Sequence, residues 1–334
     1  MQQNGVIGIL GGGSWATAIA KIILTTQPHI NWFIRRSEQI EAFKALGHNP
    51  TYLQAIEFDT SKITFFSESD INKFFRSSDA VVLITPSPYI KGYLKKVRKS
   101  SMRDKFIVNA IKGIVPEENV LVSQYLIEEF DVPRDHIGVI GGPCHAEEVA
   151  RHRRSYLTVA CSDLKKAEIF AQTLRNDFVS CVTSNDIEGV QYASVLKNIY
   201  AIAAGICNGL QYGDNFQSVL ISNAIAEMNT FINAVHLIKR DITDSVYLGD
   251  LLVTAYSQFS RNRTFGNMIG RGYSVRAAQS EMEMIAEGYF GTKCIREINK
   301  YYQVNLPICD AVYDILYEKK DPAKTILKLS HHFK

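Results

Sequence analysis

Long apolar runs are missing from this chain: no stretch approaches the ~18 uninterrupted apolar residues of a membrane-spanning helix. Clustered cysteine is missing as well. The six thiols, Cys144, Cys161, Cys181, Cys207, Cys294 and Cys309, are scattered, and no two stand at C-x-x-C spacing. A disulfide framework and a zinc site both need clustering, so reduced thiols in a cytosolic protein are expected. The histidines lack metal-ligand spacing, and His331-His332 reads as a solvated end. No strong charge of one sign is present either: a formal net charge of +3 is too small to argue for a nucleic-acid partner. Met1-Gln2-Gln3-Asn4 runs straight into a strand-like stretch, with no basic region or cleavage site ahead of it, so a cytoplasmic location is expected. No internal repeat, low-complexity tract or flexible linker is apparent.

What is present is the composition of a globular protein, 46% hydrophobic and 21% charged, and 334 residues suit two domains better than one. Up to about residue 185 the chain alternates short β-branched runs with helical stretches. Val6 to Leu10, Ile30 to Ile34, Ile63 to Phe66, Ala80 to Thr85, Phe106 to Ala110, Ile137 to Ile140 and Tyr156 to Ala160 read as buried strands of a parallel sheet. Ala16 to Leu24 and Asn119 to Phe130 read as helices between them. This is the doubly wound, Rossmann-type α/β pattern. Beyond Asn185 the strand signals stop. Gly189 to Gly209, Ser218 to Ile238, Val275 to Met284 and Ile308 to Tyr317 carry helical periodicity. The expectation is a dinucleotide-binding domain over 1–185 and an all-α domain over 186–334, with the active site in the cleft between them.

Gly11-Gly12-Gly13-Ser14-Trp15-Ala16 follows the first strand and opens a helix, giving G-x-G-x-x-A. Gly11 would allow the tight turn, Gly13 the approach of a pyrophosphate, and Ala16 close packing of helix on strand. The helix start at Ser14 and Trp15 would offer its N–H groups to the phosphates. Sites selective for NAD usually carry an acid about 20 residues past the glycines. Here Arg35-Arg36 stand at the end of the second strand, with no acid until Glu38. Two guanidinium groups suit a 2′-phosphate, so NADP(H) is favoured and NAD(H) stays open.

In the second half, Val190 to Asn198 reads as the start of a helix whose apolar face would bury Lys197. A lysine there needs a partner or a job. Asp250 and Thr254, one helical turn apart, are candidates for that partner.

The ordered series GGGSWATAIA, Ile84 to Ser87, Ile111-Lys112-Gly113, GGPCHAEEVA (Gly141 to Ala150), Val195 to Asn198, Gly213-Asp214-Asn215, GDLLVT, SRNR and Ala286-Glu287-Gly288 resembles the bacterial-type NAD(P)-dependent glycerol-3-phosphate dehydrogenases over nearly the whole chain. The resemblance implies hydride transfer between a nicotinamide and C2 of dihydroxyacetone phosphate, feeding glycerophospholipid synthesis, in a homodimer. It makes Lys197 the catalytic lysine, with Asp250 holding its ammonium and Thr254 as a neighbour. Burial and nearby cations would tune that lysine toward neutrality. Ser260, Arg261 and Asn262 are implied at the substrate phosphate, and Lys112 at substrate and cofactor, on the C-terminal edge of the sheet. Gly142, Cys144 and Ala146 fall where the family contacts substrate and cofactor, and Ile285, Glu287 and Arg261 near the cofactor.

Three positions depart from the pattern. Cys144 stands where Ser or Thr is usual. Gln217 and Asn223 stand where two arginines follow the Gly-Asp-Asn motif, with Arg263 and Arg271 as candidates for the missing charge. Two rival readings stay open here: another two-domain dehydrogenase of the β-hydroxyacid or ketopantoate type, and a protein that senses a nucleotide without turning it over.

Overall fold

Short runs of buried apolar residues set the strands. In the computed structural model, which describes residues 5–282 and 284–334, they are β1 (Ile7–Leu10), β2 (Ile30–Phe33), β3 (Ile63–Phe66), β4 (Ala80–Leu83), β5 (Phe106–Asn109), β6 (Ile114–Val115), β7 (Val120–Leu121), β8 (Ile137–Gly141), β9 (Ser155–Ala160) and β10 (Val179–Ser184). The chain divides into two contact units. One takes the residues up to Ile111 and Val122–Ile187; the other takes Lys112–Leu121 and Glu188–Lys334.

The first unit holds an eight-stranded sheet in the order β10-β9-β8-β5-β4-β1-β2-β3. From β3 to β8 all pairings are parallel, and every residue of β1, β2, β4 and β5 is buried, as a sheet covered on both faces requires. The strand order reverses between β1 and β4, the position where doubly wound folds bind ligands. Trp32 anchors this side. Its ring packs against Phe43, Phe58 and Phe65, and its Nε1 donates to the Gly11 carbonyl at 2.7 Å.

Two expectations for this unit need correction. The sheet is not wholly parallel, because β9 pairs antiparallel with β8, Val139 opposite Ala160. Only the five-residue helix Ala146–Ala150 lies between them, too little for the crossover that a parallel neighbour needs. The helix read from Asn119 starts at Val122, since Val120 and Leu121 pair with Ile114 and Val115 in a hairpin. The edge strand β10 escaped the sequence reading because it alternates buried Val179 and Cys181 with exposed Ser180 and Val182, where continuous apolar runs were the signal sought.

The second unit holds this hairpin and the helices Ile187–Gly209, Gly213–Val235, Asp250–Tyr256, Arg261–Gly270, Val275–Glu281, Glu287–Tyr302, Pro307–Leu316 and Pro322–Ser330. Among the described residues it has no strand outside the hairpin. Every residue from Gly189 to Cys207 is buried, so the first of these helices is the unit's central rod. The helix Arg261–Gly270 crosses it at backbone contact. A Cβ on Gly205 would overlap the Arg263 carbonyl oxygen, and one on Gly266 would overlap that of Ile202. Only glycine on both sides permits this approach.

Glu227, in the helix Gly213–Val235, supplies the N-terminus of Pro307–Leu316 with an acceptor, taking the Ile308 and Cys309 amides at 2.7 and 3.1 Å. Burial pushes its carboxyl up to about 7 despite these bonds.

Two outcomes are expected. Gly266→Ala should lower the thermal midpoint by about 3–10 °C through overpacking, whereas Gly92→Ala, where an added Cβ meets nothing, should not lower it. Glu227 binds its proton more tightly folded than unfolded, so its contribution is present below pH 4.5 and lost as pH rises through about 7. Urea unfolding from pH 4.5 to 7 should therefore show a falling stability component that disappears in Glu227→Gln.

Candidate active site

The glycine turn sits at the switch point. Gly11 has φ +138°, and its missing side chain leaves room for the Ile84 carbonyl of the loop after β4. Gly13 caps the ten-residue helix Ser14–Ile23 without any side-chain hydrogen bond, and a Cβ built there meets nothing within 4 Å. An open cradle at a helix N-terminus is what a pyrophosphate needs, so these residues fit a dinucleotide. Ala16 is fully buried against the core, and Asn49 braces the turn from outside, its Nδ2 donating to the Gly12 carbonyl (3.1 Å) and to Thr17 Oγ1 (2.8 Å). Sequence reading missed Asn49, since a lone asparagine in a loop carries no local signal. Arg35 and Arg36 are exposed just past β2.

Gly142, Cys144 and Ala146 lie in the same unit after β8. Cys144 Sγ contacts the Gly142 carbonyl at 3.2 Å, and Ala146 begins the short helix that follows.

The helical unit brings together most of the remaining candidates. Lys197, on the central helix, is buried, and its Nζ donates to Asp250 Oδ1 at 2.5 Å. Lys112 Nζ reaches the other oxygen, Oδ2, at 3.5 Å. Asp250 is only 1% exposed, so the carboxylate requires such partners. Of the two candidates for the lysine's partner, Asp250 takes that place; the Thr254 hydroxyl donates to the Asp250 carbonyl at 2.6 Å. Lys112 was expected at the sheet edge. It leaves β5 but belongs to the helical unit, carried there by the hairpin.

From Lys112 a buried amide chain runs outward. Asn198 Nδ2 donates to the Lys112 carbonyl (3.0 Å), Asn262 Nδ2 to Asn198 Oδ1 (2.9 Å), and the Gly288 amide to Asn262 Oδ1 (2.9 Å). It links the lysine helix to the starts of the helices Arg261–Gly270 and Glu287–Tyr302. Asn262 thus spends both ends of its side-chain amide inside the protein. The Ser260 hydroxyl caps the Arg263 amide at 3.3 Å. Arg261 is exposed at the same helix N-terminus and donates to the Ile285 carbonyl at 3.3 Å, beside Glu287. Gln217 is buried, while Asn223 is half-buried and bonded to its own helix at Val219. Arg263 is half-buried and Arg271 exposed.

A doubly wound sheet with a glycine cradle, together with a helical unit that buries a paired lysine, defines a nicotinamide-dependent dehydrogenase of the two-domain type. The comparisons with known proteins narrow the class. Family models described as the N-terminus and C-terminus of NAD-dependent glycerol-3-phosphate dehydrogenase match residues 6–167 and 186–327. The chain belongs to this family, and it is an NAD(P)-dependent enzyme. A glycerol-3-phosphate dehydrogenase [NAD(P)+] of Salinibacter ruber is 32% identical over 97% of this chain and 94% of its own length. A crystal structure of glycerol-3-phosphate dehydrogenase from Coxiella burnetii superposes with a TM-score of 0.91 at 25% identity, covering 99% of this chain and 100% of that one. A ketopantoate reductase from Ralstonia eutropha, at 14% identity and a TM-score of 0.58 over 96% of this chain and 99% of its own, shares the fold alone.

The buried pair gives a direct test. Asp250→Ala leaves two lysines without their carboxylate and should cost about 3–5 kcal/mol in urea unfolding. An Asp250→Ala protein of unchanged stability would mean that the pair carries no such charge.

Proposed function

We propose that this protein interconverts dihydroxyacetone phosphate and sn-glycerol 3-phosphate, with Lys197 as proton donor and acceptor at the C2 oxygen. The observation that carries the reading is the Lys197–Asp250 contact, built into the same hydrogen-bonded network as Lys112 and the Arg261 helix. When bound, the cofactor supplies or receives the hydride at C2. Reduction leaves negative charge on the carbonyl oxygen, and the Lys197 ammonium neutralises it by giving up a proton. Asp250 holds and orients that ammonium. In the other direction Lys197 takes the proton from the C2 hydroxyl, and the carboxylate stabilises the charge that forms.

Arg261, with the backbone N–H groups at its helix start, takes the substrate phosphate, while Asn262 and Ser260 hold that helix end in place. Lys112 adds a second cation. Thr254 secures the turn that presents Asp250. Gly142, Cys144 and Ala146 border substrate and cofactor, and Ile285 and Glu287 the nicotinamide end. At the nucleotide end, Gly11, Gly13, Ser14, Trp15 and Ala16 form the pyrophosphate turn, and Arg35 with Arg36 favours NADPH over NADH. The enzyme works as a cytoplasmic homodimer whose product enters glycerophospholipid synthesis.

Lys197→Ala should bind NADPH as the wild type does in a fluorescence titration, while its kcat for dihydroxyacetone phosphate falls about 100- to 10,000-fold. Near-wild-type turnover would remove the proposed proton donor. Arg261→Ala should act mainly by raising KM for the phosphorylated substrate, and an unchanged KM would move the phosphate site elsewhere.

A further inference from the structure

No acid follows Arg35-Arg36 at the position usual for NAD-selective sites, yet the fold brings one from the neighbouring strand. Glu68, two residues past the end of β3, donates its amide to the Arg35 carbonyl at 3.2 Å, so the two residues share one rim of the sheet. Its carboxylate accepts from Lys96 Nζ, and both side chains are about half exposed. Lys96 is not there by chance rotation of a free loop. Asn72, at the start of the helix Ile71–Arg76 that follows Glu68, donates to the Lys96 carbonyl and accepts from the Arg98 amide, each at 2.9 Å. The charge environment agrees with this placement. Lys96, and beyond it Arg35, hold the Glu68 carboxyl below its ordinary range. Burial raises the half-buried Tyr93 phenol, which also feels Arg35, Glu68, Arg36 and Tyr89 together.

We propose that Glu68 is a specificity-determining residue for the cofactor: its carboxylate opposes a 2′-phosphate at Arg35-Arg36, and Lys96 offsets that opposition. This rests on the reading of Arg35-Arg36 as the 2′-phosphate site. A dianionic phosphate meets two guanidinium groups and one carboxylate, and the ammonium of Lys96 decides how much of that carboxylate's field it experiences. With NADH there is no phosphate to repel, so the acid acts on the difference between the cofactors and not on catalysis itself.

The test is the ratio of kcat/KM with NADPH to kcat/KM with NADH, measured on the full-length enzyme with dihydroxyacetone phosphate at low and fixed ionic strength. Glu68→Gln should raise the ratio and Lys96→Met should lower it, each by about threefold to fivefold for one partly screened charge. In the double variant the Lys96→Met effect should vanish, because the lysine acts through the carboxylate. A ratio unchanged in Glu68→Gln overturns the proposal. So does a Lys96→Met effect of undiminished size in the Glu68→Gln background, which would make Lys96 a direct phosphate ligand. Arg35→Ala reports separately on the underlying reading: an unchanged ratio there removes the 2′-phosphate site from the arginines, whereas the role of Glu68 is scored by its own variants.

Discussion

A carboxylate that is almost entirely buried can stay charged only if cations are brought to it, and Asp250 draws two. One lysine comes from the central helix and the other from a hairpin lying between two strands of the sheet in sequence. Meeting that requirement forces distant parts of the chain into one place. Under the proposed reaction the lysines that neutralise Asp250 would also supply the charge that ketone reduction calls for, so one arrangement would meet a structural demand and a chemical one.

The glycine-faced crossing and the asparagine chain serve the same end by different physics. Backbone contact at Gly205 and Gly266 leaves no slack between the lysine helix and the helix that presents Arg261. The amides of Asn198 and Asn262 then fix the rotation of those helices, because each bond is buried and expensive to leave unmade. Close packing sets the separation and directional bonds set the register. The spacing of Lys197 and the Arg261 helix is thus settled by the fold of the helical unit itself.

Much of this was readable in the residues. The buried strands stand out because both their faces are apolar, and the glycine turn because a strand and a helix flank it. Lys197 stands out as a charge inside an apolar helix. Other features escaped for identifiable reasons. β10 is an edge strand with one face turned to solvent, so its short, interrupted apolar pattern hides it among loops. The hairpin at Ile114–Leu121 is two residues deep on each side, too short for any period, and the adjoining helical pattern absorbed its second strand. The helix Glu287–Tyr302 lay outside the helical reading altogether. Asn49 reads locally as an ordinary loop asparagine that accepts the Thr51 and Tyr52 amides, and its reach to the glycine turn, like the approach of Glu68 to Arg35, joins residues remote in sequence. Asn262 was visible as a motif residue, but the direction of its amide was not.

Lys112–Leu121 sits between stretches of the sheet unit in sequence and yet belongs with the helices. The chain therefore passes between its two units three times, at Ile111, at Leu121 and at Ile187, and the halves are interleaved like a page folded into the facing chapter. No single cut yields both parts whole. A break near residue 187 gives a helical fragment without the segment that bears Lys112, and so without one of the two cations on Asp250. Gene fusion, domain exchange or recombination with a relative would have to move that ten-residue strip along with the C-terminal half, or the transplanted helical unit would arrive with its buried acid half-partnered.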